Sequence, residues 1–106
     1  MRHLILAALL LGSAAAAQAA DPKVSIVLKD QKWVPSEVSI PAGVKVQLVI
    51  RNEQATAAEF ESPSLHREKV LSPGREVSVY VGPLAPGRYE FFDDFNTSNR
   101  GVLVVK

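Results

Sequence analysis

The stretch Tyr89-Glu90-Phe91-Phe92-Asp93-Asp94-Phe95-Asn96-Thr97-Ser98-Asn99-Arg100-Gly101-Val102-Leu103-Val104-Val105-Lys106 decides the fold. An aromatic run enters a short polar, acidic segment, and after Gly101 a β-branched run leads to Lys106. This reads as a β-hairpin whose loop is large enough to carry a site. Just upstream, Leu84-Ala85-Pro86-Gly87-Arg88-Tyr89 places a Pro-Gly turn two residues before a tyrosine. In a sandwich this is how a strand starts at a corner, with the phenol hydrogen-bonded back to upstream backbone. The hairpin is therefore expected to be pinned at its base.

Outward from the hairpin, the same strand grammar repeats. Val77, Val79 and Val81 alternate with polar neighbours after the turn Ser72-Pro73-Gly74. Glu59-Phe60-Glu61 is extended, with both glutamates on one face and the phenylalanine on the other, and Pro63 ends it. The segment from Leu65 to Leu71 reads as a connector, and residues Glu53 to Ala58 as a loop or a single helical turn. Val44, Val46, Leu48 and Ile50 face one way until Asn52 stops the run, and Pro41-Ala42-Gly43 turns into it. Val24, Ile26 and Leu28 form a further alternating strand, Trp33 and Pro35 mark a bend, and Glu37 to Ile40 is a short strand. Short strands separated by Pro-Gly turns, with no helical period in this region, predict an all-β, antiparallel Greek-key β-sandwich of about seven strands in one domain.

The chain starts with an address. Arg2 and His3 precede the apolar run Leu4 to Leu11, and Ala17-Gln18-Ala19 offers the small residues a signal peptidase reads, so residues 1–19 are expected to be a signal peptide and 20–106 the domain. The apolar run is too short to span a bilayer, which predicts an exported, periplasmic protein that is not membrane-embedded. Without Arg2 the basic and acidic residues balance, so the charge makes no case for nucleic acid. With no cysteine, the domain has neither disulfides nor a lipidated cysteine anchor, and packing must hold it.

The order Trp33-Val34-Pro35, Pro41-Ala42-Gly43, Asn52, Glu59-Phe60-Glu61-Ser62, Arg67-Glu68-Lys69-Val70, Pro73-Gly74, Gly82-Pro83-Leu84, Pro86-Gly87-Arg88-Tyr89 and Gly101-Val102 resembles the EfeO-type cupredoxin-like domain family. The resemblance runs over nearly all of residues 20–106. It implies a cupredoxin sandwich and an association with periplasmic iron-uptake systems, with iron or copper ion as the bound metal. Other periplasmic or membrane components of such a system are the implied partners.

Blue copper chemistry is excluded by residue type. A type-1 site needs a thiolate and two imidazoles, usually with a weak axial thioether. Residues 20–106 hold no Cys, no Met and one His, His66. In plastocyanin- and azurin-like sandwiches the last hairpin carries three of the four copper ligands. Alignment to those site segments sets Glu59 at the first imidazole position, Asp93 at the thiolate and Asn96 at the second imidazole. The resemblance to the EfeO-type family in turn implies metal positions at Trp33, Glu59, Glu61 and Asp93, although a tryptophan has no lone pair to offer.

The expected metal residues are thus Glu59, Glu61 and Asp93, with Asp94 and Asn96 in support, and oxygen donors suit hard or borderline cations. Each has a plainer reading. Glu59 and Glu61 also fit a solvated strand face, and Asp93 and Asp94 fit loop acids that cap backbone N–H groups. His66 reads as a surface histidine, and Arg67-Glu68-Lys69 as surface ion pairs. No nucleophile, phosphate loop or acid–base pair points to an enzyme. The competing function is a metal-free interaction module on the same scaffold that binds a protein partner through the altered loop.

Overall fold

The structure is a computed structural model that describes residues 20–106. The expected signal peptide, residues 1–19, lies outside the described residues. Nine strands follow one another: β1 (Lys23–Lys29), β2 (Lys32–Val34), β3 (Glu37–Ile40), β4 (Val46–Asn52), β5 (Ala58–Ser62), β6 (Arg67–Leu71), β7 (Glu76–Val81), β8 (Gly87–Asp93) and β9 (Asn96–Val105). They form two sheets, ordered β2-β1-β4-β7 and β3-β9-β8-β5-β6. The described residues contain no helix, and the all-β sandwich expected from the alternation is the fold.

Two features differ from the expectation. The sheets are mixed, because β1 pairs with β4 in parallel and so does β3 with β9. Between β1 and β4 the chain crosses to the other sheet as β3 and returns, so β4 lies beside β1 pointing the same way. The strand count is nine because two segments read as connectors are strands. β2 is only three residues long, with Trp33 as its inward residue. In β6 only Leu71 is buried, so a strand at the sheet edge shows no alternation of apolar and polar residues. Charged Arg67, Glu68 and Lys69 on such an edge oppose pairing with another chain.

The core lies between the sheets. Ile26, Leu28, Leu48, Ile50, Phe60, Leu71, Phe91 and Leu103 are fully buried. The inward row of β4 starts at Val46; Val44, expected to lead it, is exposed in the preceding turn. Three aromatic rings bind the sheets together. Trp33 meets Phe60 and Phe91 edge-on, with centroids 5.9 and 5.3 Å apart, and Phe60 stacks on Phe91 at 5.1 Å. Such pairs add about 0.5–1.5 kcal/mol each beyond their area burial. Phe91 lies across the strand from Gly101, where any Cβ would overlap its ring, so the glycine makes room for the aromatic core. At the base of the hairpin, Tyr89 Oη donates to the Ala85 carbonyl at 2.8 Å, as the corner motif predicts.

Candidate metal centre

The hairpin that defines the fold is tighter than its sequence suggests. Asp93 pairs with Asn96, leaving Asp94 and Phe95 as a two-residue turn. The polar residues Thr97, Ser98 and Asn99 are taken up as a bulge in β9 before pairing resumes at Phe92 and Arg100. No open loop of site size remains.

Parity along the strands then sorts the candidate residues. Phe60 pairs with Asp93, so Asp93 shares the inward side with Phe60 and Phe91, and it is 3% exposed. Its Oδ1 accepts the backbone N–H groups of Glu59 and Phe95, both at 2.9 Å. The second of these is an Asx turn that closes the hairpin. Contrary to the expectation from sequence, Asp93 therefore does not converge with Glu59 and Glu61. Asn96 accepts from Ser98 Oγ at 2.9 Å and lies beside Asp93 in a polar depression of about 360 Å³ that Gln31, Gln54 and Thr56 also line.

Glu59 and Glu61 occupy the other face of β5. Across the edge pair, Glu61 is opposite Glu68, and Glu68 is diagonal to Glu59. Asp94 is brought in by its backbone N–H, which donates to the Glu59 carbonyl at 3.0 Å. Carboxylate oxygens from Glu59, Glu61 and Asp94 lie within 4.8 Å of one another. Like charges so placed repel, and among the described residues no Lys or Arg forms an ion pair with Glu59, Glu61, Glu68 or Asp94. The surface ion pairs expected for Arg67-Glu68-Lys69 are thus not formed. Arg67 instead donates through Nε to the Tyr80 carbonyl at 2.9 Å, closing the seam between β6 and β7.

Glu59 bears the cost of this crowding. Its side chain is buried, and Oε1 has no hydrogen-bond partner among the described residues. Its carboxyl is pushed up to about 7, first by hydrogen-bond contact with Glu68, then by burial, by contact with Glu61, and by the charges of Glu68 and Asp94. A carboxyl group in this setting either keeps a proton or meets a cation.

The remaining candidates are structural. Trp33 is buried and its Nε1 donates to the Asn99 carbonyl at 3.1 Å, so it plugs the core. His66 is exposed in the turn before β6, at φ 53°. Sequence reasoning passed over Asn52 as a strand stop. It is fully buried, and its Nδ2 donates to the carbonyls of Thr56 and Leu71 while its Oδ1 accepts from the Gln54 N–H. That one side chain shapes the loop leading to β5. Glu68 was passed over as well, and its signal was present in the sequence: an acid on the strand after Glu-X-Glu, at hairpin distance.

The pattern of the Cupredoxin-like domain family matches residues 2–105. This chain belongs to that family. It is 42% identical over 84 residues to protein RP394 of Rickettsia prowazekii, an alignment covering 78% of this chain and 67% of that protein. Among solved structures, the metal-binding domain of the Cu(I)-exporting P-type ATPase CopA of Streptococcus pneumoniae superposes with a TM-score of 0.70 at 15% identity, covering 79% of this chain and 84% of that one. Auracyanin A, a blue copper protein of Chloroflexus aurantiacus, gives 0.69 at 15% identity, with 82% and 100% covered. At such identities the likeness is one of fold. The type-1 copper site of blue cupredoxins does not fit this member, which has no cysteine in its sequence.

Proposed function

We propose that this cupredoxin-like protein binds a metal ion through carboxylates on the outer face of β5, as an exported accessory of an iron-uptake system. The observation that carries the reading is Glu59, whose buried, unpartnered oxygen belongs to a cluster of uncompensated acids. Glu59, Glu61 and Asp94 would hold the ion, and Glu68 adds negative charge beside them. Bound there, an ion would supply the positive charge the cluster lacks. All-oxygen donors favour hard or borderline cations such as ferric iron, manganese or calcium over cuprous copper. The EfeO-type resemblance supports iron within that class, periplasmic export and a partner among the membrane or periplasmic components of uptake. No group in the cluster suggests an enzyme; the role is binding and delivery.

Thermal unfolding with added metal tests this reading. Ferric and ferrous iron, copper, manganese, zinc and calcium are titrated separately near neutral pH. A cation that binds only the folded state raises Tm by mass action. The double change Glu59→Gln with Glu61→Gln removes charge at nearly constant shape and is expected to abolish that rise. If no metal shifts the wild-type transition, or the double variant shifts equally, the acids are not a metal site and the interaction-module reading takes its place.

A further inference from the structure

A second unsatisfied polar group lies on the far side of β8 from the acidic cluster. The bulge at Thr97–Asn99 turns Asn99 towards the seam where β9 faces β2. Bulges commonly re-aim a side chain in this way. Asn99 is 6% exposed; its carbonyl is held by Trp33 Nε1, yet its side-chain Nδ2 has no partner among the described residues. Buried amide donors are nearly always paired, so an unpaired one points to an acceptor that comes from elsewhere.

Asn99 lines a notch of about 330 Å³, with Lys32, Trp33, Ser36, Ser98 and Arg100 among its neighbours. No acidic residue lines it. Lys32 forms no ion pair among the described residues, whereas the Arg100 guanidinium lies over the Phe92 ring, 4.8 Å from its centroid, and 4.0 Å from Glu90. The polar wall therefore offers the Ser36 hydroxyl, an amide and the Lys32 cation, while Trp33 and Val34 give it an apolar side.

We propose that the notch between β2 and β9 binds a small organic carboxylate, with Asn99 Nδ2 as the buried donor and Lys32 supplying the charge. A carboxylate is acceptor-only and takes several hydrogen bonds at once. Bonds from cationic donors are shorter and stronger than neutral ones. The apolar wall favours an acid with a carbon skeleton over a bare oxyanion, and the notch is near the lower end of ligand-site volumes, so the acid has few carbons. The site shares no residue with the acidic cluster, and its occupancy does not depend on metal.

The purified protein, labelled with ¹⁵N and freed of metal, is titrated with acetate, succinate and phosphate at constant ionic strength, with chloride as reference. Acetate or succinate is expected to shift the Trp33 indole N–H and the Asn99 side-chain amide resonances saturably, and phosphate more weakly. Asn99→Asp sets a negative charge against the ligand, and Lys32→Gln removes an exposed positive one; each is expected to weaken binding, Asn99→Asp by about tenfold or more. Ser36→Ala joins Lys32→Gln as the deciding pair if Asn99→Asp does not fold. Absence of saturable shifts, shifts equalled by chloride, phosphate binding tighter than both acids, or unchanged affinity in the folded variants overturns the proposal.

Discussion

Asp93 Oδ1 accepts the backbone N–H of Glu59 at 2.9 Å, and this bond joins the turn of the last hairpin to the strand that carries the acidic cluster. Asp93 thus serves the cluster without belonging to it. Asp93→Ala removes the acceptor of two N–H groups and is expected to cost about 2–4 kcal/mol in chemical denaturation. Asp93→Asn retains an acceptor oxygen and is expected to cost less, while preserving any metal-induced rise in Tm that Glu59→Gln with Glu61→Gln removes. Equal loss of the metal response in Asp93→Asn would place Asp93 among the ligands.

Glu59 ties stability to pH. Its folded-state carboxyl is raised from about 4.5 to about 7, so the folded protein holds more protons than the unfolded chain between those values. Stability must then fall as pH rises through that window, its full contribution being present below the lower value. In chelator, the wild-type Tm is expected to drop from acid towards neutral pH more than that of Glu59→Gln. Parallel profiles for the two proteins would mean that Glu59 is not the group responsible.

The tyrosine corner gives a smaller effect. Tyr89 is half-buried and donates one neutral hydrogen bond to the Ala85 carbonyl. Tyr89→Phe keeps the ring and is expected to lower stability by about 1 kcal/mol. A change indistinguishable from zero would show that water replaces the phenol at this exposed turn.

Gly101 and Phe91 form a size-matched pair across β8 and β9. Gly101→Ala drives a methyl group into the Phe91 ring and towards the Ser36 carbonyl, and is expected to cost about 1–3 kcal/mol. Adding Phe91→Leu to Gly101→Ala should cost less than the sum of the two single changes, because the smaller side chain yields space. A double-mutant cycle measures this directly; strict additivity would dissociate the two residues.

Copper gives a spectroscopic check on the departure from the blue members of the family. Without a thiolate there is no charge-transfer band of the blue-copper kind, so the protein with cupric ion added is expected to lack it. An intense blue absorption would contradict the assignment of an all-oxygen donor set.

The sequence by itself determined the strands whose faces differ in polarity. Val24, Ile26 and Leu28, or Val77, Val79 and Val81, show a period of two because one side meets the core and the other water. It likewise determined the corner at Tyr89, which needs only local turn chemistry, and the loss of blue copper chemistry, which needs only residue types. It did not reveal β6, since an edge strand with a single buried residue carries no such period. Nor did it give the parallel pairing of β1 with β4 and β3 with β9, because alternation identifies a strand and leaves its partner open.

Tertiary structure alone decided which acids meet. The sequence points to Asp93 as the ligand with Asp94 in support, and Glu68 is separated from Glu59 by a proline-containing turn. Pairing of Phe60 with Asp93 sends Asp93 inward and leaves Asp94 beside Glu59, while pairing of Glu61 with Glu68 brings a further acid to the same face. Side-chain parity is fixed by register, and register is fixed by which apolar faces must be buried together, a property of the assembled sheets that no single stretch of chain contains.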